Sequence, residues 1–209
     1  MEKRITVAVL TNETGAHLSA YFTALKEIKA VKNVVLSDPG QTQAEAARSQ
    51  LGSKLTAVYD QPETLFQQEK PDLALVTMQA RQAPQAINLA LENGCHVFSE
   101  KPACLSVQQF EPLVQKAESK HLHLSLALAN RMNPEILFAR SLIQGGSLGK
   151  IYGVEMTLLA DQTRLARPAY HKSWYAHKDQ AGGGFLSWLG IHWIDLSMYL
   201  TESSITDVA

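Results

Sequence analysis

The segment Glu100-Lys101-Pro102 places a carboxylate and an ammonium group side by side, just beyond an apolar run that ends at Phe98. A lysine that leaves a strand at this point is expected to face the reactive end of a cofactor bound at the carboxyl edge of the sheet. The neighbouring glutamate can orient the lysine or tune its pKa. The alternative interpretation is a solvated glutamate–lysine pair with no role in a site.

A histidine follows three consecutive glycines in the second half of the chain. Gly182-Gly183-Gly184 opens a predicted helix, Phe185–Leu200, and His192 lies within it between Trp188 and Trp193. Glycine lets a ligand or another backbone approach this helix closely, so His192 is a candidate site residue. A histidine between tryptophans is also common in protein cores. Trp188 fits either a core position or stacking on the apolar face of a sugar.

The loop after the first predicted strand, Ile5–Leu10, is where a doubly wound α/β domain binds the pyrophosphate of a dinucleotide. Thr11, Asn12 and Gly15 are candidate cofactor residues, although this loop has one glycine where the usual fingerprint has three. Glu100 and Lys101 are candidate cofactor residues as well, because they follow a strand at the same edge of the predicted sheet. Asp38 follows the second strand, where an acid accepts hydrogen bonds from a ribose diol. No cationic residue follows Asp38 that could bind a 2′-phosphate, so the sequence predicts NAD rather than NADP. Plain turns at both places are the alternative.

The segment from Arg164 to His177 mixes cations with aromatic side chains. Arg164 and Trp174 are candidate substrate residues, because such a mixture suits an acidic or phosphorylated sugar and arginine binds carboxylates bidentately. An exposed loop that packs on an oligomer neighbour explains the same composition. The spacing of His171, His177 and His192 does not match a metal site, and no metal is predicted.

These candidate residues need a scaffold, and the chain alternates strand and helix patterns over residues 1–128. Continuous apolar runs predict strands covered on both faces, and therefore a Rossmann-type doubly wound parallel sheet of the α/β class. From residue 129 onward the pattern changes to a helix, Pro134–Gln144, and an alternating strand, Ile151–Leu159. Residues 129–209 are therefore predicted to be the start of an α+β substrate domain, incomplete because Asp207-Val208-Ala209 resembles a strand that is just beginning.

The composition is that of an ordinary globular protein. It has 19 basic and 20 acidic residues, a formal net charge of -1 and 45% hydrophobic residues. We expect no nucleic-acid partner, since no basic surface is indicated, and no membrane partner, since no apolar run approaches the roughly 20 residues of a membrane helix. Cys95 and Cys104 are interpreted as buried thiols in a reducing compartment, which predicts a cytoplasmic protein.

Together, the order of the predicted elements and four motifs resemble the glucose-fructose oxidoreductase / inositol dehydrogenase / rhizopine-catabolism (Gfo/Idh/MocA) family. The motifs are Glu100-Lys101-Pro102, Asn130-Arg131-Met132-Asn133-Pro134, GGSLGKI and GGGFLSWLGIHWIDL. The resemblance implies an oxidoreductase that transfers a hydride between NAD(P) and a sugar, cyclitol or related polyol, and a homo-oligomer at full length. It also implies that Lys101 contacts the substrate hydroxyl and the nicotinamide, and that His192 is the base. Arg131 and Trp188 are further candidate substrate residues.

The sequence departs from the family pattern at three places in the expected site. Trp188 stands where the family has an aspartate four residues before the histidine, the glycine fingerprint is reduced, and a histidine is replaced near Gln82-Ala83. The leading interpretation is an NAD-linked dehydrogenase with Lys101 and His192 as catalytic residues. Two alternatives stay open: a redox-neutral, NAD-using sugar lyase, epimerase or hydrolase, and a non-catalytic sugar or nucleotide sensor.

Overall fold

The computed structural model describes residues 4–159 and 163–208, with all of their side chains except those of Thr163 and Arg164. The chain divides into two compact units: residues 1–127 with 178–182, and residues 128–177 with 183–209. The short stretch 178–182 therefore belongs to the first unit, which the sequence pattern did not predict. No helix in the described ranges is long and apolar enough to cross a membrane.

The first unit is a six-stranded parallel sheet with helices between its strands. The strands are β1 (Ile5–Thr11), β2 (Val31–Ser37), β3 (Leu55–Tyr59), β4 (Leu73–Thr77), β5 (His96–Ser99) and β6 (Leu124–Leu126). The helices are α1 (Leu18–Glu27), α2 (Ala44–Leu51), α3 (Pro62–Gln68), α4 (Ala83–Glu92) and α5 (Val107–Ser119). The strand order β3-β2-β1-β4-β5-β6 is that of a doubly wound dinucleotide-binding sheet. The predicted Rossmann-type fold is confirmed.

Two hydrophobic cores cover the two faces of this sheet. Successive side chains of a strand point to opposite faces, and β1 shows the consequence directly. Val7 and Val9 pack into one core with Phe22 of α1, whereas Ala8 and Leu10 pack into the other core. All five side chains are at most 1% exposed. The continuous apolar run of β1 is therefore explained by helices on both sides.

The second unit consists of short helices and turns. Its helices are α6 (Pro134–Gln144), α7 (Pro168–Lys172) and α9 (Ile191–Thr201), while α8 (Lys178–Ala181) lies in the first unit. Its 3₁₀ turns are Ala129–Met132, Thr163–Ala166 and Trp174–Ala176. The predicted helix Phe185–Leu200 consists of a π-helical turn, Leu186–Gly190, followed by α9. Single π-helical turns are rare and often occur at functional sites.

Residues 151–159 do not form the strand that their alternating pattern predicted. Tyr152 is 88% exposed and Leu159 is 93% exposed. A strand is stable only beside a hydrogen-bonded neighbour, and no strand in the described ranges lies next to this segment. Residues 203–208 also have no regular structure, and Ala209 lies outside the described residues.

Candidate functional site

A cavity of about 350 Å³ opens at the carboxyl edge of the sheet in the first unit. Doubly wound sheets bind their ligands at this edge. The walls combine apolar side chains with amides and hydroxyls, and they consist of Leu10, Thr11, Asn12, Ser37, Pro39, Gln61, Pro62, Glu63, Met78, Gln82, Gln85, Ala86 and Leu89. Two predicted cofactor residues, Thr11 and Asn12, are among them. The size and the mixed lining suit a purine joined to a ribose.

The loop between β1 and α1 is held by its side chains rather than by glycines. Thr11 is buried, and its hydroxyl donates to the carbonyl oxygen of Thr77 at 2.9 Å. A Cβ atom on Gly15 would lie 2.2 Å from Thr11 Oγ1 and 2.8 Å from the side chain of Leu18. Gly15 is therefore required by the packing of this loop, whatever it contributes to a ligand.

Two backbone N–H groups of this loop are already bonded to side chains of the same unit. Thr14 donates to Asn12 Oδ1 at 2.8 Å, and Ala16 donates to Thr77 Oγ1 at 2.9 Å. The Asn12 amide also donates to Gln82 Oε1 at 2.7 Å, which ties the loop to the segment before α4. In a glycine fingerprint the N–H groups of the loop face the pyrophosphate. Those of Thr14 and Ala16 are instead engaged by the chain's own side chains.

Asp38 follows β2, but it does not line the cavity as its neighbours Ser37 and Pro39 do. Its side chain is 0% exposed. One carboxylate oxygen accepts a hydrogen bond from the N–H of Gln43 at 2.6 Å, and the other accepts one from the hydroxyl of Thr42 at 3.2 Å. The carboxylate thus binds the residue just before α2, and a negative charge near the start of a helix is favourable. The ribose contact of Asp38 stays a prediction.

Glu100 and Lys101 follow β5, and both are buried. Glu100 Oε1 lies 2.7 Å from His17 Nδ1 and accepts a hydrogen bond from the Tyr21 hydroxyl at 2.5 Å. Its other oxygen, Oε2, accepts the backbone N–H of Lys101 at 2.9 Å. An ionised carboxylate only accepts hydrogen bonds, so we assign the proton of this contact to His17 Nδ1. The carboxylate is therefore held by three donors.

Burial dominates the electrostatics around Lys101. Loss of water lowers the pKa of Lys101, and the Glu100 carboxylate offsets part of that change. Burial, the hydrogen bond to Glu100 and its charge all raise the pKa of Tyr21, so the phenol stays protonated and donates. A buried cation beside an anion at the ligand-binding edge of the sheet can stabilise negative charge on a bound oxygen.

In the second unit, His192 lies on α9 with a buried side chain, and its ring meets that of Trp193 edge-on at 6.3 Å. One helical turn later, Asp195 is also buried. Arg131 binds Asp195 bidentately: Nε donates to Oδ2 at 2.7 Å, and the terminal nitrogen donates to Oδ1. The carboxylate-binding edge of Arg131 is thus occupied by its own chain. A substrate contact by Arg131 stays a prediction, and its observed role is to hold α9.

Trp188 belongs to an aromatic cluster in the second unit. Its ring lies 5.0 Å from that of Tyr175 and nearly parallel to it, with 21° between the planes. The ring of Trp174, which is buried, meets Trp188 edge-on at 5.2 Å. Tyr175 covers one face of the Trp188 indole, so that face packs within the second unit and does not stack on a sugar. The substrate roles predicted for Trp174 and Trp188 stay predictions.

The remaining candidate groups add little to a site. The side chain of Arg164 lies outside the described residues, and no group of three or more His, Cys, Asp or Glu residues in the described part could hold a metal. Cys95 and Cys104 are free thiols. Burial raises the pKa of Cys95 to about 11 and also raises the pKa of Cys104, so both thiols are protonated at neutral pH, unlike reactive cysteines.

The sheet order, the cavity at its carboxyl edge and the buried lysine after β5 define a nucleotide-binding α/β protein. Comparison with protein families makes this assignment specific. Residues 13–128 match the GFO/IDH/MocA family described as "Oxidoreductase family, NAD-binding Rossmann fold", and residues 136–209 match the GFO/IDH/MocA C-terminal domain. The chain belongs to the GFO/IDH/MocA oxidoreductase family, which confirms the resemblance seen in its motifs.

Several proteins that resemble this chain are sugar or cyclitol dehydrogenases. D-glucoside 3-dehydrogenase of Escherichia coli (strain K12) is 29% identical over 167 residues, which are 80% of this chain and 46% of that protein. scyllo-Inositol 2-dehydrogenase (NAD(+)) of Bacillus subtilis (strain 168) is 26% identical over 213 residues, which are 100% of this chain and 57% of that protein. A levoglucosan dehydrogenase solved with NADH and levoglucosan has a TM-score of 0.81 at 20% identity, covering 93% of this chain and 54% of that one. The chain spans about half the length of these curated relatives.

The residues of the first unit fit the NAD cofactor that this family implies, and the prediction of NAD is confirmed at the level of the family. The cavity at the sheet edge has the size and lining for the adenosine half. The fit is weakest at the pyrophosphate, because the N–H groups of Thr14 and Ala16 are engaged and Glu13 adds an exposed negative charge. The preference for NAD over NADP stays a prediction.

Three residues that lie close to candidate residues within their own units were not predicted from the sequence. Asp195 had a signal, because it lies three positions after His192 and so shares its helix face. His17 and Tyr21 had a weaker signal, since they are four positions apart where α1 begins. Their shared partner, Glu100, is 83 residues from His17 in the sequence, and only the fold reveals the contact.

Proposed function

We propose that the protein to which this chain belongs is an NAD-dependent dehydrogenase that oxidises a secondary alcohol of a sugar, cyclitol or related polyol. The main support for the proposal is that Lys101 is buried beside Glu100 at the carboxyl end of β5, in a chain of this family. The dehydrogenase activities named for the relatives support the same reaction class.

The cofactor contributes one thing to this reaction: bound NAD accepts a hydride. Thr11 and Asn12, which line the cavity, would hold its adenosine half, and Asp38 and Gly15 shape the two turns beside it. The backbone and side chains around the cavity therefore bind and orient the cofactor. They take no part in bond making or breaking.

Lys101 supplies the positive charge of the site. An ammonium group near the substrate hydroxyl stabilises the negative charge that grows on its oxygen as the proton leaves. Burial disfavours the charged form of this lysine, and the Glu100 carboxylate favours it. Glu100 thus keeps an ammonium group available in a place where water is scarce.

His192 takes the proton of the substrate hydroxyl as the general base. The bidentate pair between Arg131 and Asp195 fixes α9, the helix that carries His192. In the balanced reaction the hydroxyl proton goes to His192 and the carbon loses a hydride with its electron pair, which leaves a carbonyl group. Trp174, Trp188, Arg131 and Arg164 remain proposed substrate residues. We also propose a cytoplasmic homo-oligomer.

The test is a spectrophotometric assay of the purified protein with NAD and a panel of polyols that includes scyllo-inositol, levoglucosan and glucosides. The proposal predicts net formation of reduced nicotinamide with at least one of them. Turnover of a sugar without net reduction would show a redox-neutral lyase, epimerase or hydrolase. Binding of NAD or sugar without any turnover across the panel would show a sensor.

A further inference from the structure

His17 and Tyr21 lie at the start of α1, far from β5 in the sequence, and both contact the same oxygen of Glu100. His17 Nδ1 is 2.7 Å from Glu100 Oε1, and the Tyr21 hydroxyl donates to that oxygen at 2.5 Å. His17 is the residue before α1 and Tyr21 lies in its first turn, and the two are joined because the Tyr21 N–H donates to the His17 carbonyl at 3.2 Å. They meet the carboxylate as a pair of donors fixed to a single rigid element.

The opposite oxygen of the carboxylate faces Lys101. Glu100 Oε2 accepts the Lys101 backbone N–H at 2.9 Å. The two carboxylate oxygens therefore have different partners: Oε1 is bound by His17 and Tyr21, and Oε2 is bound by the N–H of Lys101. Both Glu100 and Lys101 are buried, so water does not compete well for these hydrogen bonds. A rotation of the carboxylate would break all three contacts together.

We propose that His17 and Tyr21 are positioning residues for Lys101, acting through the Glu100 carboxylate. They fix the carboxylate in the orientation that binds the Lys101 N–H, and so they set where the lysine side chain begins. The proposal rests on the proposed function only for what Lys101 does to a substrate. The positioning itself is a property of the free protein.

The conformation of His17 offers a matched pair of variants. Its φ of 58° is in the left-handed region, which asparagine tolerates better than most residues. His17→Asn keeps a donor at nearly the position of Nδ1, whereas His17→Ala removes it. Tyr21→Phe removes only the hydroxyl and keeps the ring that meets Phe98 edge-on at 6.2 Å.

The first measurement is hydrogen exchange of the Lys101 backbone amide by NMR in the full chain without ligands. The double variant His17→Ala/Tyr21→Phe should exchange this amide about tenfold faster than wild type, because the carboxylate that accepts it is no longer held. His17→Asn alone should stay within about threefold of wild type. Val97 lies in β5, and its amide donates to the His123 carbonyl. Exchange of this amide should be unchanged in every variant, which would show that the sheet has not been destabilised.

The second measurement is steady-state kinetics with the polyol that the assay above identifies. The double variant should lose kcat about tenfold or more while the Kd for NAD changes less than about threefold, and His17→Asn should restore most of kcat relative to His17→Ala. Unchanged Lys101 exchange in the double variant would overturn the positioning role, with or without activity. Faster exchange in a protein that oxidises no polyol would support the positioning role and overturn the proposed function instead.

Discussion

The two units of the chain bury apolar side chains to very different extents. In the first unit, the strands at the centre of the sheet are almost completely covered, and Phe22 is 1% exposed. In the second unit, helix α6 has no buried residue, and Phe138 on that helix is 65% exposed. Of the large apolar residues that are exposed in the described part, all but Ile28 and Val107 lie in the second unit.

This difference shows that the two units are held by different interactions. The first unit has two hydrophobic cores, one on each face of its sheet. Among the described residues of the second unit, specific contacts are more prominent, including the ion pairs of Arg131 with Asp195 and of Arg140 with Glu202, and the aromatic cluster of Trp174, Tyr175 and Trp188. Hydrophobic burial is spread over many residues, whereas these contacts depend on a few side chains.

A large-to-small substitution in the core of the first unit should lower the free energy of unfolding more than any other change considered below. Phe22→Ala should lower the free energy of unfolding by about 3–5 kcal/mol, because it leaves a cavity between α1 and the sheet. Phe138→Ala is the matched control on α6 and should cost less than about 1 kcal/mol. Urea titration followed by circular dichroism measures both. Equal losses of stability in the two variants would contradict the difference in apolar burial between the two units.

The ion pair of the second unit should give a smaller effect. Arg131→Met leaves the buried carboxylate of Asp195 without its cation, and we expect a loss of about 2 kcal/mol, moderated because Arg131 is 41% exposed. All three tryptophans of the chain lie in the second unit, so tryptophan fluorescence follows its unfolding. The double variant with Asp195→Asn should lose less than the sum of the single variants. Additive losses would show that the pair contributes nothing to stability.

In the first unit, the charge of Glu100 influences the pKa of Lys101. Glu100→Gln removes the charge that raises the pKa of Lys101, while the burial that lowers it remains. The pKa of Lys101 should therefore fall further, and more of the lysine should be neutral at a given alkaline pH. Acylation with trace acetic anhydride, read by mass spectrometry, should be about three- to tenfold faster at Lys101 than in wild type, with exposed Lys32 as the internal reference. Slower labelling would contradict this assignment of causes.

The smallest expected effect is at the loop after β1. Glu13→Gln removes an exposed negative charge beside the expected pyrophosphate and should tighten NAD binding by about two- to fivefold. The change should be smaller for adenosine, which has no phosphate. Isothermal titration of wild type should also show tighter binding of NAD than of NADP. Tighter binding of NADP would overturn the cofactor preference inferred from Asp38.

The sequence was sufficient to predict the sheet of the first unit, because a buried parallel strand is encoded locally as a continuous apolar run such as Ile5–Leu10. The side-chain contacts of the site were not predictable in this way. Thr11 meets Thr77 and His17 meets Glu100 only because the strand order brings β1 beside β4, and β4 beside β5. The alternation in residues 151–159 predicted a strand wrongly, since pairing needs a neighbour that the pattern of one segment does not reveal.

The proposed transfer of a hydride from a polyol carbon to NAD can be followed with an isotope label. A substrate found in the polyol panel is labelled with deuterium on the carbon that bears the hydroxyl, and the nicotinamide product is analysed by mass spectrometry. We expect one deuterium in free reduced nicotinamide for each carbonyl formed. A product that retains the deuterium, with none in free cofactor, would contradict net dehydrogenation.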